Sequence, residues 1–168
     1  MRNYKSLTPT HPTEERHNAY KYQQVIGSLI YAMVYTRPDL AFALGKLSQH
    51  MQNPSENHWA YLKALMRFVR LTVHFKLRFG PTRNSKLAVY TDADWAGQRS
   101  DRKSTSGGVA MLYGGPVCWL SKLQRLVAMS STESEYVAMA INAKTTQWLR
   151  QILQDIGSLE LIGYNKVV

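Results

Sequence analysis

From Tyr20 to Tyr35 the apolar residues Val25, Ile26, Leu29, Ile30 and Met33 recur at helical spacing, which predicts a helix with one face on a core. Thr36-Arg37-Pro38-Asp39 interrupts it. Pro38 suits the first turn of a second helix, predicted to run to about Met51. Asn53-Pro54-Ser55 breaks the chain again, and Ser55 is the natural N-cap of a third helix that turns Trp59, Leu62, Leu65, Met66 and Val69 inward. These helices form a small bundle. The preceding residues 1–18, rich in Thr, Pro, His and charge, read as a flexible arm.

The period then changes. Phe75 to Phe79 alternates apolar and basic residues, a half-buried strand pattern closed by Gly80-Pro81. A boundary follows, dividing a helical segment 19–80 from a second domain 81–168. Strands are predicted at Leu87 to Thr91, Gly107 to Tyr113 and Val117 to Ser121, with Gly114-Gly115-Pro116 as a tight hairpin between the last two. Ser130-Ser131-Thr132 opens a long helix that continues to about Ile156, where Gly157 stops it. Its wheel carries an apolar stripe of Val137, Ile141, Trp148, Ile152 and Ile156. Tyr164 to Val168 begins another strand, which a helical crossover would set parallel to an earlier one. The fold class is therefore α/β: a mixed sheet of three antiparallel strands, a long helix and the start of a parallel strand, preceded by a small helical bundle.

Charge sharpens this picture. The chain of 168 residues is 45% hydrophobic, enough for a packed core, and carries 21 Lys and Arg against 11 Asp and Glu, for a net charge of +10. Such an excess favours a polyanionic partner. From Asn57 to Thr91 there is no acid, while Lys63, Arg67, Arg70, Lys76, Arg78, Arg83 and Lys86 are basic. Lys63, Arg67 and Arg70, spaced by four and three, share one face of the third helix and would either grip phosphates or form a solvated stripe. A single cysteine, Cys118, excludes an intramolecular disulfide and points to a reducing compartment, cytoplasmic or nuclear. The five histidines show no ligand spacing and read as surface or satisfied core residues. No apolar run approaches a membrane span, so no membrane partner is expected and the protein should be intracellular.

Two carboxylates, Asp92 and Asp94, sit at the exit of the first sheet strand in Tyr90–Gly97, YTDADWAG. Residues two apart share a strand face, so these like charges need water, cations or a metal nearby. Glu133 and Glu135 flank the apolar stripe at the start of the long helix, and periodicity alone cannot choose between them. A strand-end carboxylate with one from the neighbouring helix would suit Mg²⁺.

YTDADWAG, DRKSTSGG at Asp101 to Gly108, WLSK at Trp119 to Lys122 and SSTESEYVAM at Ser130 to Met139 closely resemble, in order and spacing, the ribonuclease H domain of copia-type LTR retrotransposon polyproteins. The upstream YQQVIGSLIYAMVYTRPDLAFALGKLSQHM and NPSENHWAYLKALMRFV resemble the thumb and connection region before that domain. The resemblance implies a ribonuclease H-like mixed sheet, with Asp92 and Glu135 as catalytic, metal-binding carboxylates and Asp94 as a structural companion. Lys103, Ser104 and Thr105 would sit with Arg102 on the turn entering the second strand, where they would either contact phosphate, adding to Lys63, Arg67 and Arg70, or serve turn chemistry and strand capping. Domains of this kind hold two Mg²⁺ ions on four acids and cut the RNA strand of an RNA/DNA hybrid. Here the chain stops at Val168, before the family's third aspartate, so the sheet is expected to be truncated and the Mg²⁺ site weak or absent. The resulting expectation is a retroelement-derived protein that binds nucleic acid, hybrid or duplex, without hydrolysis of its own. Two alternatives are an active ribonuclease H completed by a longer polyprotein or a partner, and an interaction module that self-associates through an open sheet edge.

Overall fold

The computed structural model describes residues 4–81, 85–98 and 100–162. The chain forms two compact units, Met1–Lys76 and Leu77–Val168.

In the first unit, helices α1 (Ala19–Tyr35), α2 (Ala41–Ser48) and α3 (Glu56–Leu71) enclose Tyr22, Ile26, Leu40, Leu44, Leu47, Leu62 and Leu65. Asn18 caps α1 by accepting the Lys21 amide proton. Ser55 caps α3 as expected, and its side chain and amide exchange hydrogen bonds with His58 in a capping box. We expect Ser55→Ala to lower the stability of this unit by about 1 kcal/mol, measurable by urea denaturation.

Two expectations need correction. The second helix is shorter than predicted and is preceded by a separate 3-10 turn, Pro38–Leu40. The Arg37 guanidinium tightens that turn: it donates to both carboxylate oxygens of Asp39 and to the carbonyl and hydroxyl of Thr72. Residues 4–18 are not a loose arm either. Leu7 is buried in the core, the Thr8 carbonyl accepts from His58 Nε2 at 2.9 Å, Arg16 bridges to Ser55, and His17 stacks on Trp59. One apolar anchor and a few backbone acceptors suffice to hold a segment whose composition alone looks disordered.

The second unit is α/β. Strands β1 (Ala88–Asp94), β2 (Thr105–Leu112) and β3 (Gly115–Leu123) form an antiparallel sheet in the order β1-β2-β3, and α4 (Ser131–Asp155) packs on β1 and β2. Tyr113 and Gly114, both at positive φ (50° and 72°), make the two-residue hairpin turn, one position upstream of the Gly-Gly-Pro stretch. Gly115 opens β3 instead, and a Cβ there would lie 2.5 Å from the Arg78 carbonyl oxygen. Phe75 to Phe79 is not a strand: Phe75 and Phe79 are exposed, and the segment has no ladder partner among the described residues. Alternation needs a neighbour to become a strand.

The α4 face that meets the sheet is not the apolar stripe of the wheel. Ser134, Ala138, Asn142, Thr146 and Leu153 are buried, whereas Trp148 and Ile156 are 58% and 65% exposed. Gly107 and Gly108 lie in β2 beneath this helix, and the missing side chain at Gly108 makes room for Asn142, whose carboxamide a Cβ would overlap. Larger side chains take over further along, where Leu149 and Leu153 meet Leu87, Val89, Ala110 and Cys118. After Gly157, at φ 73°, the chain returns to β1, and the Leu161 carbonyl accepts from the Leu87 amide at 2.8 Å. The strand expected at Tyr164 to Val168 lies outside the described residues.

Candidate functional site

β1 delivers its residues alternately to two sides. The Thr91 hydroxyl accepts from Asn142 on α4, so Asp92 and Asp94 belong to the face turned away from that helix. Asp92 is exposed, and its register partner on β2 is Gly107. Asp94 is tucked into the turn that follows, where a Cβ on Gly97 would overlap its carboxylate. That turn is fastened from two directions. Trp95 Nε1 donates to the Ala128 carbonyl at 3.0 Å, and Ala96, at φ 50°, donates its amide proton to Ser104 Oγ at 3.1 Å.

The two helix glutamates do different things. Glu133 Oε2 accepts from the Met129 amide while the Glu133 amide donates to Ser130 Oγ, so this side chain closes the helix N-terminus. Glu135, part-buried, reaches the sheet, and its Oε1 accepts from the Ala93 amide at 3.2 Å. Its carboxylate therefore meets the outer edge of β1 at the residue that follows Asp92. Among the described residues, no group of three or more His, Cys, Asp or Glu side chains gathers there or elsewhere.

The residues expected to contact phosphate separate. Ser104 and Thr105 are buried, Ser104 with its hydroxyl on the Ala96 amide, so neither presents an oxygen to a ligand. The reason is that β2 begins at Thr105, two residues before the Gly107 start read from the pattern, and the ladder draws the motif into the sheet. Arg102, at φ 58°, is exposed. Lys103 Nζ lies 2.8 Å from Asp101 Oδ2, and its hydrogen bond holds the Asp101 carboxyl below its usual range. Lys63, Arg67 and Arg70 are exposed along α3, opposite buried Leu62 and Leu65, and none forms an ion pair among the described residues.

Two structural residues of the site escaped the sequence reading. Gln124 is buried after β3, and its Nε2 donates to Ser106 Oγ and to the Ser134 carbonyl, both at 2.9 Å, tying β2 to the start of α4. Asn142 is buried in mid-helix, a place that suits asparagine poorly, and that mismatch was the available signal. Beside it a groove of about 670 Å³ runs between β1 and α4, lined by Val89, Thr91, Tyr136, Ala143, Gln147 and Arg150 among others.

Comparison with known proteins decides the lineage. The chain is 43% identical over 155 residues to the retrovirus-related Pol polyprotein from transposon TNT 1-94 of Nicotiana tabacum, a match covering 91% of this chain and 12% of that polyprotein. It is 36% identical over 154 residues to the corresponding polyprotein from transposon RE1 of Arabidopsis thaliana, covering 92% of this chain and 10% of that one. The chain belongs to the copia-type retrotransposon Pol family.

This Pol chain spans only about a tenth of the transposon polyproteins it matches. It is also 46% identical over 128 residues to secreted RxLR effector protein 161 of Plasmopara viticola, covering 76% of this chain and 90% of that protein. No family model matches, and no solved structure matches. Among the described residues no helix is long and apolar enough to cross a membrane.

Proposed function

We propose that this copia-type Pol chain binds nucleic acid, RNA/DNA hybrid or duplex, through a ribonuclease H-type unit and the basic face of α3, and does not cut it unaided. One observation carries the assignment of the unit: Glu135 Oε1 accepts the amide proton of Ala93, bringing a helix carboxylate to the strand exit that bears Asp92. Two acids from different elements at one exposed strand end are what a hard cation beside a phosphate requires. The net charge of +10 and the exposed Lys63, Arg67, Arg70 and Arg102 supply attraction to the backbone of a polyanion.

Asp92 leaves β1 on the face turned away from α4 and Glu135 meets the edge of the strand, so the two would reach one Mg²⁺ only through bridging water. They do not fit a two-ion clamp, because no third acid joins them among the described residues and Glu135 already spends one oxygen on Ala93. A bound Mg²⁺ would supply charge neutralisation of the phosphate. Asp92 and Glu135 would hold that cation, and the exposed Lys and Arg side chains would attract the nucleic-acid backbone.

In a fluorescence-anisotropy titration with a labelled hybrid, affinity should fall by about 10³-fold or more between about 50 and about 200 mM salt if six or more phosphates are neutralised. Changing Lys63, Arg67 and Arg70 together to Ala should lower the salt slope by about 3. A flat salt response would remove the binding proposal. No Mg²⁺-dependent cleavage of the hybrid is expected, and turnover abolished by Asp92→Asn would overturn that half.

One observation favours a second reading, an interaction surface. β1 is an edge strand among the described residues, and its Val89 and Thr91, paired on the inner side with Ala110 and Gly108, line the groove beside α4. Concentration-dependent dimerisation in sedimentation equilibrium would support it, and a strict monomer would dismiss it.

A further inference from the structure

As far as Thr146, α4 lies on the sheet without a large apolar anchor. Its buried residues there are Ser134, Ala138, Asn142 and Thr146, all small except Asn142. Packing of small side chains over glycine brings a helix close but does little to fix its rotation or its position along its axis. Something more directional must set them, because Glu135 meets a single amide on β1.

We propose that Asn142 is the positioning residue for Glu135. Asn142 is 4% exposed, and its Nδ2 lies 3.0 Å from Thr91 Oγ1 on β1, 3.1 Å from the Gly107 carbonyl on β2 and 2.9 Å from the Ala138 carbonyl on its own helix. Two N–H bonds are thereby distributed over three acceptors on three elements. Gly108 makes room for the carboxamide, since a Cβ at that position would overlap it. Glu135 precedes Asn142 by seven residues, about two helical turns, so the two project from nearly the same face about 10 Å apart. On the strand their contacts, Thr91 and Ala93, are two residues apart on one side of β1. The helix thus grips β1 at two points, one through Asn142, itself a buried residue, the other through the part-buried Glu135. Released from the buried point, the helix can rotate or slide, and Glu135 loses its registry with Ala93 and with Asp92.

The metal consequence rests on the proposed function; the clamp does not, and the experiment separates them. Asn142→Leu keeps the branched heavy-atom skeleton of the side chain and removes all three of its hydrogen bonds. Amide hydrogen exchange is then read at Ala93 and at Ala110, a core position on β2. In Asn142→Leu the protection of Ala93 relative to Ala110 should fall about tenfold, which a uniform loss of stability cannot produce. Glu135→Gln should lower the same ratio, and the double variant should fall no further than Asn142→Leu alone. A ratio in Asn142→Leu within about twofold of the parent protein would overturn the proposal. Should Asn142→Leu fail to fold, Thr91→Val, which deletes only the acceptor on β1, decides by the same ratio. In parallel, Mn²⁺ titrated into the protein should bind about tenfold more weakly in Asn142→Leu. If the parent protein takes up no Mn²⁺ that Asp92→Asn abolishes, the metal reading fails, and the Ala93 ratio still decides the clamp.

Discussion

Acidification from pH 7 to pH 4 should lower the stability of the helical unit by about 3 kcal/mol through His50, with a further loss through His58. The two imidazoles are buried and stacked, with ring centroids 4.0 Å apart and planes 12° from parallel. Burial, then the neighbouring His58, then Lys46 push His50 from its ordinary 6.5 down to about 4. Burial also lowers His58, opposed by its hydrogen bond to Thr8 and by Glu14. The bond to Ser55 adds to burial a reason for His58 to resist a second proton. Its Nε2 donates to the Thr8 carbonyl, so its Nδ1 is the acceptor for the Ser55 amide that completes the α3 capping box. A proton on Nδ1 would face that amide hydrogen and break the box.

Both folded-state values lie below those of the unfolded chain, so the unfolded chain binds more protons in the interval between them. Stability is therefore complete above about pH 6.5 and declines as the pH falls from there toward about 4, by up to 1.36 kcal/mol per pH unit for His50, with His58 acting in the same direction. Trp59, the one tryptophan of residues 1–76, reports this unit in urea denaturation of the whole chain. His50→Phe, which keeps an aromatic ring in the stack, should flatten the pH dependence. Equal midpoints at pH 5 and pH 7 in the parent protein would count decisively against the account.

Gly108→Ala should destabilise the sheet unit by about 3 kcal/mol, although alanine is the smallest change available. The added Cβ overlaps the Asn142 carboxamide, a buried group that cannot move without giving up Thr91 Oγ1 and the Gly107 carbonyl. Overpacking costs about 1–3 kcal/mol, and each hydrogen bond lost adds about 1 kcal/mol. The neighbouring position provides the control. A Cβ on Gly107 meets nothing closer than the Asp92 carbonyl oxygen at 3.8 Å, so Gly107→Ala should be tolerated. Thermal unfolding followed by the other tryptophans distinguishes the two variants. Adding Asn142→Ala to Gly108→Ala removes the obstructing carboxamide and should recover part of the loss. Two glycine variants of equal stability would refute the close-approach argument.

The candidate site was legible in proportion to how local its causes are. Ser55 and Ser130 as helix caps, the three strands and the carboxylates leaving the first of them follow from short-range rules: an oxygen one turn ahead of a helix, and alternation along a pleat. The choice between Glu133 and Glu135 was not local. Both lie near the start of one helix, and they differ only in that Glu133 folds back onto Met129 whereas Glu135 extends to Ala93. Family resemblance selected Glu135; hydrophobic periodicity could not.

Other features depended on which partner a segment finds. Ser104 and Thr105 read as surface turn residues because their own chemistry suits turns, yet pairing with β1 and β3 draws Thr105 into the ladder and buries both. Phe75 to Phe79 alternates correctly, yet both phenylalanines are exposed and the segment joins no ladder among the described residues. By itself, then, the sequence determined the kinds of element, most of their ends, the basic character and the pair of acids at one strand exit. Each of these is set by side chains acting within a turn or two of the backbone. Only the tertiary structure decided that α4 buries its small and polar face, because the sheet beneath it offers glycine and a hydrogen-bonding partner for Asn142, and close backbone approach outweighs the apolar stripe that the wheel displays.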